Sequence, residues 1–184
     1  MKKLLILISL ILCLGTSVFA ANDELGLYFV FPFNQYESNG KDASGFGGMI
    51  EYKRMHNNIW GIEYEGSLIF PKKGTPNYNK FLTFDLSAGL ALRLFNNEAL
   101  ELFLVPSVGF KYASDNLWVE TKTDHVYSYI WVGGAVDLNY KITSVLYLSG
   151  GVNLEYSFYK IQEAKNEAVD FISVVPKVGL TLIM

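Results

Sequence analysis

Apolar and polar residues alternate along most of this chain. In 81–95, FLTFDLSAGLALRLF, one set is Leu82, Phe84, Leu86, Ala88, Leu90, Leu92 and Leu94, and the other is Thr83, Asp85, Ser87, Gly89, Ala91 and Arg93. A helix would strand Asp85 and Arg93 among apolar neighbours, whereas a strand sends the two sets to opposite faces. The same alternation predicts eight strands, near 24–33, 46–56, 59–70, 81–95, 99–113, 125–140, 145–159 and 170–184. Connections after the second, fourth and sixth are tight and polar: Asn57-Asn58, Asn96-Asn97-Glu98, and Lys141 to Ser144. Those after the first, third, fifth and seventh (34–43, 71–79, 114–124 and 160–168) are longer and rich in Asn, Gly, Lys, Asp and Glu. Short turns at one end and long loops at the other predict an all-β fold, an eight-stranded antiparallel up-and-down transmembrane β-barrel.

One parity is greasy throughout: Leu25, Leu27, Phe29 and Phe31; Ile50 and Tyr52; Trp60, Ile62 and Tyr64; Leu100, Leu102 and Leu104; Leu146, Leu148 and Leu154; Leu180 and Leu182. Arg54, beside a turn, and Ser128 break it. The opposite parity carries Glu51, Lys53, Glu63, Glu65, Asp85, Arg93, Glu101, Lys111, Asp137, Asn153, Glu155 and Lys177. An Arg or Lys facing the middle of a bilayer costs roughly 2–4 kcal/mol, so the apolar parity is expected to face lipid. The inverse reading is a soluble lipocalin-like barrel or sandwich with the apolar face inside. The bulk of the apolar set opposes it, because the interior of an eight-stranded barrel is only just wide enough to fill with side chains. The polar parity also mixes Gly26, Gly61, Gly89, Gly109, Gly133, Gly151 and Gly179 with bulky Tyr127, Tyr129, Trp131 and Tyr147. Small beside large suits a cramped lumen better than an open surface. Phe33, Tyr52, Phe70, Phe95, Tyr112, Tyr140 and Phe158 fall near strand ends, where rings settle at a lipid–water boundary.

Composition adds to this picture. The hydrophobic fraction is 51% and the aromatic fraction 15%, yet after residue 20 no apolar run is long enough for a transmembrane helix. Residues 1–20 read as a secretory signal peptide: Lys2 and Lys3, an apolar run from Leu4 to Leu14, and Val18-Phe19-Ala20 as the cleavage site. The expected mature barrel domain is 21–184. A lipoprotein anchor at Cys13 is the competing reading, which the bulk of Leu12 disfavours. The mature chain would hold no cysteine, hence no disulfide and no thiol chemistry. It would carry 13 basic against 18 acidic residues, a net charge of −5. With the basic residues dispersed, no nucleic-acid partner is expected.

The final strand, Lys177-Val178-Gly179-Leu180-Thr181-Leu182-Ile183-Met184, follows a polar-x-Gly-x-x-apolar-x-apolar pattern through Lys177, Gly179, Leu182 and Met184. With the alternation and the unequal connections, the chain resembles the small outer-membrane barrels of the OmpX/OmpW-like type. It departs from their usual aromatic C-terminus by ending in Met184. The resemblance implies a porin-like monomer in the outer membrane of a Gram-negative cell envelope, bordered by lipid. It also implies recognition of the last strand by the barrel-assembly machinery, with periplasmic chaperones during biogenesis.

The inward charges are the main candidate chemistry. Seven acids (Glu51, Glu63, Glu65, Asp85, Glu101, Asp137 and Glu155) face four bases (Lys53, Arg93, Lys111 and Lys177). In a narrow lumen they are expected to pair, because an unpaired buried charge is costly, giving a polar plug with a structural or surface-interaction role. The rival is a cation-tolerant path lined by the acidic excess. From the OmpW side of the resemblance comes passage of small hydrophobic molecules, with Tyr127, Tyr129 and Trp131 as a possible pocket. A lipid A-modifying enzyme is a further alternative, but His125 and Ser128 are three apart and face opposite ways, and His56 abuts a turn. No metal-ligand spacing or phosphate-cradling loop is present, and no cofactor or catalytic residue is expected. Leu117-Trp118-Val119, in the third long loop, is a candidate contact tip.

Overall fold

The computed structural model describes residues 23–36, 43–71, 82–114, 126–162 and 171–184. These form nine strands: β1 (Asp23–Val30), β2 (Phe33–Tyr36), β3 (Ala43–Met55), β4 (Trp60–Pro71), β5 (Leu82–Asn96), β6 (Leu100–Ser114), β7 (Val126–Lys141), β8 (Leu146–Gln162) and β9 (Phe171–Ile183). From β3 to β9 each strand pairs antiparallel with its neighbour in sequence, β1 and β2 both pair with β3, and β1 closes on β9 from Glu24↔Ile183 to Val30↔Lys177. The strands β1 and β2 are one stave broken at Phe31-Pro32, so the molecule is an eight-stranded closed barrel.

The break has a local cause. Pro32 has no N–H to give to the ladder. The wall is carried across by single bonds, Phe31 N to Pro176 O at 3.0 Å and Gly45 N to Pro32 O at 3.2 Å. Beyond it, β2 resumes pairing with β9 from Phe33↔Val174 to Tyr36↔Phe171.

The three short turns close the other end. Each folds its own backbone onto one side chain: Asn57 Oδ1 accepts from Ile59 N at 2.8 Å, Asn97 Oδ1 from Leu100 N at 2.7 Å, and Thr143 Oγ1 from Leu146 N at 3.0 Å. These are Asx- and Thr-type turns, in which the side chain satisfies backbone donors within the loop.

The inside–outside arrangement is that of a membrane barrel. Among the described residues, thirty-three large hydrophobic side chains are exposed and only thirteen hydrophobic ones are buried, while twenty polar or charged residues are buried. A water-soluble domain has the reverse distribution. Phe33, Phe70, Phe95, Tyr140 and Phe158 are exposed near strand ends. One outward expectation is corrected. Ser128 is buried, because the β7–β8 register shifts at Ser128/Tyr129 and again at Ile130/Trp131; such bulges re-aim side chains.

Candidate functional site: the charged lumen

The inward parity of β1 and β3 to β9 converges on the barrel axis in three tiers. Nearest the turns, Arg93 Nη2 lies 3.5 Å from Glu24 Oε1 and 3.9 Å from Glu101 Oε1. Lys141 Nζ reaches Glu101 at 3.3 Å and donates to Asn96 Oδ1 and to the Asn97 carbonyl. In the middle, Lys53 Nζ sits 2.9 Å from Glu51 and 3.0 Å from Glu63. Beside it, Lys177 Nζ bridges Glu65 at 2.7 Å, Glu51 at 2.8 Å and Asp137 at 3.0 Å. Toward the loops, Lys111 pairs with Glu155 and lies 3.5 Å from Asp85, which also accepts from Trp131 Nε1 at 2.9 Å.

Hydrogen bonds tie the tiers to the wall. Asn153 Nδ2 donates to Glu65 at 3.0 Å and Ser87 Oγ donates to the same carboxylate at 3.2 Å. Ser149 Oγ donates to Thr181 Oγ1 at 2.8 Å, and Thr181 shares a bond of 3.0 Å with the Tyr28 hydroxyl.

Each of the four lumen bases also packs against an aromatic ring. Lys53 lies 4.3 Å and Arg93 5.2 Å from the centroid of Phe103, Lys177 5.2 Å from that of Tyr28, and Lys111 5.8 Å from that of Trp131. A ring face offers a dry cation its quadrupole. Phe103 is completely buried and joins Met55, Ala91, Val105 and Ala135 in an apolar wedge that fills one side of the lumen. A second apolar cluster holds Tyr28, Val30, Met49, Ile69 and Val175. Gly109 makes room for Trp131, whose indole occupies the space a Cβ would need.

Carboxylate oxygens of Glu51, Glu63 and Glu65 fall within 4.8 Å of one another, the spacing of a metal site. Lys53 and Lys177 already supply two positive charges there, so ammonium groups do the work a cation would do.

The residues singled out in the sequence are distributed as follows. Glu51, Lys53, Glu63, Glu65, Asp85, Glu101, Lys111, Asp137, Glu155 and Lys177 are buried, and Arg93 is nearly so. Of the three aromatics, Trp131 is buried over Gly109, Tyr129 is half-buried, and the Tyr127 side chain lies outside those described. In the last strand, Lys177 points into the network, Leu182 is exposed on the outer face, and Met184 N donates to Asp23 O at 2.8 Å. At Gly179 a Cβ would overlap the backbone of Leu27 and Tyr28, so the closing seam needs glycine there. His125 and Leu117-Trp118-Val119 lie outside the described residues, as does the 1–20 segment. Glu24, Tyr28, Phe103 and Lys141 were missed by sequence reasoning. Parity counted back from Leu25 would have put Glu24 inside, but nothing in the alternation shows that Phe103 spans the lumen to Lys53.

Solved structures share this architecture, among them two bacterial surface proteins. Neisserial surface protein A superposes with a TM-score of 0.73 at 15% sequence identity, covering 91% of this chain and 100% of that one. The fold is that of the small outer-membrane β-barrels. Ail, the attachment invasion locus protein of Yersinia pestis, superposes with a TM-score of 0.51 at 15% identity, covering 87% of this chain and 99% of that one. No protein-family model matches the chain, and no curated protein sequence does.

Proposed function

We propose that the protein is a closed barrel of the outer membrane, plugged by its own charges, with a structural or surface-interaction role. The observation that carries this reading is the lumen: its four bases are each held by carboxylates and by an aromatic ring, and Phe103 fills the space beside them. Moving an ion through would require breaking pairs in a low dielectric, where a lone charge is costly. The refolded monomer in a planar bilayer is expected to show no steady open level; a large, steady single-channel conductance would overturn the plug.

The surface role draws support from the long connections, which join staves at the end opposite the three turns, and from the fold shared with Ail. That protein is named for attachment and invasion and has been captured with the heparin analogue sucrose octasulfate. Protease treatment of intact cells tests it. Cleavage within 114–124 is expected, and full protection of that segment would end the surface assignment. Biogenesis through a signal peptide, periplasmic chaperones and the barrel-assembly machinery, with 177–184 as the recognised strand, belongs to the same proposal.

The break in the wall favours a second reading, sideways passage of small hydrophobic molecules. Exposed Phe29, Phe31 and Phe33 flank the interruption at Phe31-Pro32, where two single hydrogen bonds replace the ladder. Binding of a long-chain amphiphile that is lost in Trp131→Ala supports this reading; no binding to the wild-type barrel removes it.

A further inference from the structure

At the turn end of the barrel, exposed apolar side chains flank polar turns. Ile59, at 66% exposure, Ile142 and Val145 are exposed where two of the three turns join their strands, beside the polar tips Asn57-Asn58 and Thr143-Ser144. The turns satisfy their own backbones: His56 N donates to Trp60 O, Asn97 N to Leu100 O and Ile142 N to Leu146 O, besides the Asn57, Asn97 and Thr143 side-chain bonds.

Arg54 lies at this same end, on the lipid-facing parity of β3, paired in register with Asp23 on β1 and Ile62 on β4. Its side chain is 38% exposed; its Nε lies 3.8 Å from Oδ1 of the wholly buried Asp23, and both side chains hydrogen-bond Tyr52. Nearby are exposed Trp60, its ring 4.5 Å from that of His56, and the Tyr52–Tyr64 stack. A cation flanked by interfacial aromatics at the edge of an apolar wall matches a headgroup phosphate, whose oxygens accept from a guanidinium fork. We propose that Arg54 binds the phosphate of a phospholipid headgroup in the turn-side leaflet, and that the exposed apolar residues beside the turns hold that end of the barrel at headgroup depth. This inference needs the outward apolar wall but not the closed lumen, so the two can fail separately.

The chain has two arginines, Arg54 and Arg93, and Arg93 is inside. Protein carrying ¹⁵N-labelled arginine is refolded into liposomes of phosphatidylethanolamine and phosphatidylglycerol in phosphate-free buffer. Solid-state ¹⁵N–³¹P recoupling then reads contact with lipid phosphorus. One of the two guanidinium signals is expected to dephase and to vanish in Arg54→Gln, the other persisting unchanged. If that variant does not refold, Arg54→Lys removes the same signal and makes the assignment. Absence of dephasing from both arginines, or dephasing that survives the substitution, overturns the site.

Discussion

Lys177 holds the largest share of the lumen together. Its ammonium touches Glu51, Glu65 and Asp137 from three different strands and lies over the Tyr28 ring. Removing one partner from a buried pair leaves the others uncompensated, at a cost of about 3–5 kcal/mol. Lys177→Ala is therefore expected to lower the unfolding free energy by about that amount, read by urea titration in liposomes. Phe103 acts by volume instead of charge. Phe103→Ala should cost about 3–5 kcal/mol for the cavity and leave Lys53 and Arg93 without their ring, and it is the substitution expected to introduce conductance into a silent barrel. A variant that is as stable as the parent and equally silent would show that the wedge is dispensable. Neither role is visible in the alternation. Parity says only that positions 103 and 177 face inward; which charges meet across the lumen depends on the stagger between staves, set by the whole closed ladder.

At the scale of strands, the alternation located all eight staves to within a few residues, because a period of two with one apolar face is a direct consequence of strand geometry. It did not locate the break at Phe31-Pro32 or the shifts near Arg93/Phe95 and Ser128/Tyr129, which insert or lose a residue relative to a partner strand. Ser128 was the one visible trace of the latter. Strand ends were the other weak point, hiding Glu24 and Lys141 because short polar segments read equally well as turn. The β1–β9 seam is the element most open to test. Gly179 lies flat against Leu27 and Tyr28, and any larger side chain presses on that backbone. Gly179→Val is expected to keep the barrel from closing, seen as loss of the compact, heat-modifiable band on a cold gel. Gly150→Val, on the outer face and in ordinary contact with its neighbours, should retain the band.

For the molecule as a whole, the two faces of one sheet account for both location and chemistry. Among the described residues, the outer face is apolar up to the turns, and the inner face packs eight carboxyl-bearing residues, counting Glu24, against three buried bases, the nearly buried Arg93 and two apolar clusters. The central claim is that the greasy side meets acyl chains. Carbene footprinting with a lipid-soluble diazirine, on wild-type protein refolded into liposomes, tests it without any substitution. Along β8 the label is expected on Leu148, Val152, Leu154, Tyr156 and Phe158, sparing Ser149, Asn153, Glu155 and Ser157. Label concentrated on the second set, with the first protected, would contradict the assignment of inside and outside.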